Sequence, residues 1–350
     1  MPEPLRLATL PNAASRKWNP MTWMLNQGLE KLGFTVHDLT RESLMSQQFD
    51  LLHVHFFEGY TYFRNPFKII LRCKKLLNGI DRQKRLGCKL IYTAHDVIGH
   101  DTPWRSLEDW FFREFMRRVD GTVFVSDVSI PLVRTRFPGL KGPSTTIPLS
   151  DYGDWYADTV TSAEARAKFG IPEGALVVTH VGLIKRYKNV PALIRAFSAI
   201  PGNTFLLIGG RVLEDDLKSE LIALASADLR VKLELNHLED DDMQFYMKAA
   251  DVVVLPYRAI LNSGSAMLAL TFDRPVMVPN VGSLPELQAN MSPDWVRLYD
   301  GEFDSAALQS AMDWVKATAR PAKAPLEKLS VSAIAEMHSA FYRSVISAKE

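Results

Sequence analysis

The sequence predicts an α/β protein of two doubly wound domains, each a parallel sheet with helices on both faces. Three observations predict it. Short runs rich in Val, Ile and Leu alternate with longer amphipathic stretches almost throughout the chain. That alternation pauses once, over the polar and aromatic residues 147–163, and then resumes. The 350 residues are 47% hydrophobic, enough to fill two cores of ordinary domain size.

Strands are expected at 5–10, 51–55, 89–93, 121–125 and 144–148, and again at 176–181, 204–208, 231–235, 252–255 and 276–278. Their near-continuous apolar character suits strands covered on both faces. Helical periodicity falls between them, at 20–31, 104–118, 190–199, 213–225, 241–249 and 263–272, with a last amphipathic helix at 330–347. The pause sets the expected domains: 1–155, 156–329, and a terminal helix, 330–350, that packs back on the first. Ligands of doubly wound folds bind outside the carboxyl ends of the strands, so the expected active site is the cleft between two facing domains.

Composition narrows the function. Charged residues are 23% of the chain and the net charge is +1, so no global charge draws it to nucleic acid. Cys73 and Cys88 match no zinc spacing and are expected to be incidental thiols of a reducing compartment. Met1-Pro2-Glu3-Pro4, with no basic and apolar stretch after it, is not expected to open a signal peptide. No apolar run approaches the roughly 20 residues that span a bilayer. The expected location is the cytoplasm, with membrane contact only from the surface.

Three segments of the second half carry the chemistry. Gly182-Leu183-Ile184-Lys185-Arg186-Tyr187-Lys188 follows a strand and opens a helix, bringing cations to the strand's carboxyl end. A diphosphate needs such charge, above all as a leaving group; a solvated basic turn is the plain alternative. After the strand ending at Leu255 come Tyr257 and then Asn262-Ser263-Gly264-Ser265, a helix start whose free amides and hydroxyls suit an anion. An ordinary capped helix is the plain alternative there. Gly282-Ser283-Leu284-Pro285-Glu286 opens another helix, where Glu286 is either a ligand for ribose or sugar hydroxyls or a first-turn acid. Gly210 and Arg211 end a further strand and offer a flexible, cationic edge. None of these is a dinucleotide GxGxxG fingerprint.

In this order the motifs resemble GT-B glycosyltransferases, in particular the GT4-like group. The matching pieces are Ala165-Arg166 through Phe169-Gly170-Ile171-Pro172, the loop from Gly182 to Lys188, Ala250-Asp251-Val252-Val253-Val254-Leu255-Pro256-Tyr257, and Arg274-Pro275-Val276 through Glu286. Weaker matches lie at Asn19-Pro20, 50–58 and 92–101. The resemblance implies a nucleotide diphosphate-sugar held by the second domain, an acceptor held by the first, and no metal or other cofactor. It assigns Lys185 and Lys188 to the donor phosphates, with Arg186 in their place if the register shifts by one.

One departure stands out. Ile260 and Leu268 occupy the places where GT4-like retaining enzymes usually carry two glutamates. The Ser263-Gly264-Ser265 variant instead resembles bacterial transferases of cell-surface and exopolysaccharide (xanthan-type) assembly, some of them β-mannosyltransferases using GDP-mannose. Inverting transfer of mannose is therefore expected. A retaining transferase using a UDP-sugar, a catalytically silent sugar-nucleotide-binding protein and a nucleotide-sugar epimerase remain as alternatives.

Inverting transfer needs a base within reach of the acceptor hydroxyl. Four of the eight histidines, His53, His55, His95 and His100, lie at two strand ends of the first domain, with Glu58, Asp96 and Asp101 beside them. His95, Asp96 and Glu58 are the candidates; in a retaining enzyme His95 would instead bond the transferred sugar. Between 62 and 89, Arg64, Lys68, Arg72, Lys74, Lys75, Arg82, Lys84, Arg85 and Lys89 are opposed only by Asp81, with Phe63, Phe67, Ile70, Leu71 and Leu77 interspersed. Such a basic amphipathic helix reads as a surface for anionic lipid, which suits a polyprenyl-diphosphate-linked acceptor, or as a solvated helix with an ordinary core face.

Overall fold

The computed structural model describes residues 3–11, 16, 20–61, 63–95 and 104–348. The chain forms two compact units, Met1–Ser150 with Lys328–Glu350, and Asp151–Glu327.

In the first unit β1 (Leu5–Leu10), β2 (Phe34–Asp38), β3 (Leu51–Val54), β4 (Lys89–Ala94), β5 (Gly121–Phe124) and β6 (Ser144–Thr146) form one parallel sheet in the order β2-β1-β3-β4-β5-β6. Side chains of a strand alternate between faces. Leu52 and Val54 join a core with Ile69, Phe111 and Phe115, while Leu51 joins another with Leu25, Ile334 and Tyr342. Helices Pro66–Arg85 and Arg105–Met116 thus cover one face, and Pro20–Lys31 and Val331–Ser347 the other. The last helix packs tightly there: a β-carbon on Gly28 would stand 2.7 Å from that of Ala335.

The second unit repeats the plan. β7 (Leu176–Val181), β8 (Thr204–Gly209), β9 (Val231–Glu234), β10 (Val252–Val254), β11 (Val276–Pro279) and β12 (Val296–Tyr299) form a parallel sheet in the order β12-β11-β10-β7-β8-β9. Val178, Ile208 and Val254 face helices Val190–Ser198 and Ser305–Ala317. Strand order reverses between β1 and β3 in one sheet and between β7 and β10 in the other. Those reversals are where ligand sites of doubly wound sheets form.

β2 and β12 have no counterpart among the expected strands. Both are edge strands with half-buried interiors, so their mixed sequences, Phe-Thr-Val-His-Asp and Val-Arg-Leu-Tyr, lack the apolar run that marks the others. The stretch after Ser150 is docked rather than free. Tyr152 N–H donates to Thr271 Oγ1 (3.1 Å), Trp155 Nε1–H to Asp240 (3.1 Å), and the Thr159 amide to Gln244 Oε1 (2.9 Å).

Candidate active site

At the reversal in the second sheet, β7 runs out into Gly182 at φ +127°, and β8 into Gly210 at φ +148°. A β-carbon on Gly210 would lie 2.0 Å from the Gly182 carbonyl oxygen, so only glycine lets these strand ends meet. The chain then turns through Arg186–Lys188 and left-handed Asn189 (φ 56°) into helix Val190–Ser198. This turn brings Lys188 back over Gly182. Its Nζ stands 3.4 Å, and Ser265 Oγ 2.8 Å, from the point a β-carbon on Gly182 would occupy. An ammonium and a hydroxyl therefore meet above bare backbone.

Ser265 sits in the first turn of helix Gly264–Thr271. Ser263 caps that helix, its Oγ accepting the Ala266 N–H (3.2 Å), and no acidic residue occupies the first turn. First-turn amides lack partners within a helix and carry the positive end of its dipole. Lys188 is only 9% exposed and pairs with no carboxylate among the described residues. Its neighbours are neutral: the Tyr257 ring, 5.3 Å from Nζ to centroid, and His180. His180 Nδ1–H donates to the Val254 carbonyl (3.0 Å), and burial, with the Lys188 charge second, holds the imidazole down to about 3. The Lys188 side chain is largely enclosed while its charge is unopposed, an arrangement that favours an anion beside it. Ammonium, hydroxyl and helix amides together can bind a phosphoryl group.

Of the expected donor residues, the structure gathers Gly182, Lys188, Tyr257, Ser263, Gly264 and Ser265 here. Lys185 is half-buried and engages no carboxylate among the described residues. Asn262 and Glu286 are half-buried on neighbouring elements, Glu286 in the first turn of Leu284–Met291. The loop bearing Asn262 is pinned by Arg258 N–H to Tyr187 O and Ser283 N–H to Leu261 O, both 2.9 Å.

Two expectations need correction. Arg186 turns away to the helix Asp215–Ala225, where it pairs with Asp216, Glu220 (3.8 Å) and Glu214 (4.0 Å). Its charge is spent on three carboxylates. Gly210 is buried, with its amide donated to Glu234 O (2.9 Å), so it makes room for Gly182 rather than offering backbone to a ligand. Arg211, next to it, is exposed.

Residues 161–297 match the family profile of Glycosyl transferases group 1. The chain is 28% identical over 314 residues to the GDP-mannose:glycolipid 4-beta-D-mannosyltransferase of Xanthomonas campestris pv. campestris, covering 88% of this chain and 82% of that protein. The chain is a GT4-like glycosyltransferase of the GT-B fold. Its fold is shared with sucrose-phosphate synthase from Thermosynechococcus elongatus, with a TM-score of 0.68, 16% identity and coverage of 99% and 100% of the two chains. It is shared equally with Anabaena HepE in complex with UDP and glucose, with a TM-score of 0.67, 16% identity and coverage of 97% and 100%.

In this glycosyltransferase the reversal of the first sheet holds a cluster of histidines. His95 Nε2 lies 3.0 Å from His55 Nδ1, and the His53 and His55 rings are 3.9 Å apart. His53 bonds Thr93 Oγ1 (2.7 Å) through Nε2 and the Tyr342 hydroxyl (2.5 Å) through Nδ1. His338 Nδ1–H donates to Ile334 O (2.9 Å). Burial, then neighbouring histidines, keeps them neutral: His95 falls to about 3, His338 through burial alone to about 4, and His53 and His55 well below their ordinary range. The enzyme thus presents His95, half-buried and stacked on Phe56, with a neutral imidazole behind it. Asp96, His100, Asp101 and the side chain of Glu58 lie outside the described residues.

Sequence reasoning missed His180, His338 and Tyr342. His180 sits in an apolar run and reads as a core residue. The other two lie on the terminal helix, and no local signal ties them to β3.

Proposed function

We propose that this glycosyltransferase moves mannose from GDP-mannose, with inversion, to a lipid-linked saccharide acceptor in exopolysaccharide or cell-envelope synthesis. One observation carries the reading: the Lys188 ammonium, buried beside Ser265 and the start of helix Gly264–Thr271 with no carboxylate for a partner among the described residues. The departing diphosphate supplies the missing charge. Lys185, Asn262, Arg211 and Glu286 complete the donor site around it. No metal is required, because the ammonium and the helix amides stabilise the leaving group. The mannosyl donor is supported by the similarity to the Xanthomonas enzyme. Inversion is supported by apolar Ile260 and Leu268 where retaining relatives usually carry glutamates. His95 is the base that takes the acceptor proton. Charge and exposure on helix Pro66–Arg85 support contact with an anionic bilayer that carries the acceptor: Phe67 is 79% and Leu71 55% exposed among Lys68, Lys74 and Lys75.

The test is a thermal-shift panel of nucleoside diphosphates, followed by transfer with GDP-mannose and a lipid-linked oligosaccharide. Ligand binding raises native stability by RT ln(1 + [L]/Kd). Selective stabilisation by GDP and a β-linked product are expected. A response to UDP alone would displace the donor, and an α-linked product the stereochemistry.

A further inference from the structure

We propose that Tyr152 belongs to the donor site and donates its phenolic hydrogen to the diphosphate at the start of helix Gly264–Thr271. Nothing in the sequence pattern points to this residue. It lies in the polar stretch that reads as a linker, as the second residue of the C-terminal unit.

The position is specific. Tyr152 Oη stands 2.9 Å from the point a β-carbon on Gly264 would occupy. The side chain is 9% exposed, yet its hydroxyl makes no hydrogen bond among the described residues. The ring is held from behind, against Tyr156 at 5.2 Å between centroids, and Tyr156 in turn against Phe272 at 6.2 Å. The Tyr152 amide is fixed on Thr271 Oγ1 at the far end of the same helix. An immobilised hydroxyl with no protein partner is free to donate to a ligand, and it stands beside the first residue of a helix whose leading amides also lack partners within the helix. Burial, with Tyr156 and Tyr257 adding to it, raises the phenol's ionisation further, so the group stays a donor.

The ligand class follows from what flanks it. Gly264 carries Tyr152 on one side, and Ser265, the next residue, faces Lys188 and Gly182 on the other. Consecutive α-carbons are about 3.8 Å apart, a step that two linked phosphoryl groups can follow. Lys188 and Ser265 take one and Tyr152 the other. This assignment rests on reading Lys188 and Ser265 as the diphosphate cradle.

Tyr152→Phe removes one oxygen and keeps the ring packing. GDP and GMP binding are titrated on the whole protein, with UDP and UMP in parallel, and the tighter pair is read. Loss of one hydrogen bond predicts a Kd for the diphosphate raised about three- to tenfold, with the monophosphate affected less and Tm unchanged or higher. Gly264→Ala, which forces a methyl group against Oη, should weaken the diphosphate at least as much, and adding Tyr152→Phe to it should cause no further loss. An unchanged diphosphate Kd in Tyr152→Phe overturns the assignment, as does an equal loss for mono- and diphosphate. Lys188→Ala separates the two claims. Wild-type affinity in that variant sinks the cradle itself, whereas loss there with none in Tyr152→Phe sinks only the role of Tyr152.

Discussion

His55 Nδ1 and His95 Nε2 stand 3.0 Å apart, and one proton serves both. Neither ring is charged, since burial lowers both, so one nitrogen donates and the other accepts. His55 is fully enclosed, whereas His95 is the half-buried member. The pair therefore orients the ring that reaches the surface. If His95 is the base, His95→Ala should lower kcat by about 10²- to 10⁴-fold. Donor affinity should stay within about twofold, because the residues proposed to hold the diphosphate belong to the other unit. Single-turnover kinetics with GDP titration checks this, and loss of donor binding instead of turnover would refute the role.

Acid should destabilise the fold early. An unfolded histidine titrates near 6.5, while His95 and His180 fall to about 3 and His338 to about 4 when folded. Between those values the unfolded chain binds more protons than the native one. The stability from these neutral rings is complete above pH 6.5 and is lost as pH falls toward 4 and 3. Each ring contributes a slope of about 1.4 kcal/mol per pH unit in that window. Tm measured from pH 7.5 to 4.5 should fall steadily, and His338→Leu should flatten the decline. A Tm independent of pH over that range would contradict it.

What was legible in the sequence is what is local. The Gly182 loop and the strand leading to Leu255 and Tyr257 announce themselves as apolar runs ending in glycine or in a capped helix start. Which cation turns toward Gly182 and Ser265 is not local. Arg186 leaves for Asp216, 30 residues away, and only the packed helix Asp215–Ala225 decides it. Tyr152 reaches Thr271 across 119 positions and Tyr342 reaches His53 across 289, contacts that no periodicity records. Edge strands β2 and β12 escaped for the converse reason: half-buried, they carry too little apolar pattern.

The cradle predicts opposite effects at two neighbouring cations. Lys188→Met removes a buried charge that has no carboxylate partner among the described residues and keeps most of the stem volume. The unliganded enzyme should be as stable as wild type or more so. Its GDP affinity should fall about 10- to 100-fold, as for a lost charge-assisted hydrogen bond. Arg186→Ala should leave the Kd for GDP within about twofold, since the guanidinium is already engaged by Asp216, Glu214 and Glu220. Isothermal titration with GDP checks both. A large loss in Arg186→Ala would return that residue to the donor site.

Helix Pro66–Arg85 sets charge against exposure in a way the fold alone does not demand. Ile69, Cys73, Leu76 and Ile80 bury its core face, so Phe67 and Leu71 on the outer face serve no packing purpose there. Lys68, Lys74 and Lys75 stand among them, and none pairs with a carboxylate among the described residues. No described helix is long and apolar enough to cross a membrane. A lysine near an anionic bilayer is worth about 1 kcal/mol. Lys74→Glu with Lys75→Glu should therefore weaken binding to phosphatidylglycerol vesicles by about 30-fold or more. The effect should shrink as salt rises. Phe67→Ser should weaken binding with little dependence on salt, because it removes apolar rather than coulombic contact. Co-sedimentation at two ionic strengths resolves the two components, and binding that ignores both variants would leave the helix a solvated face.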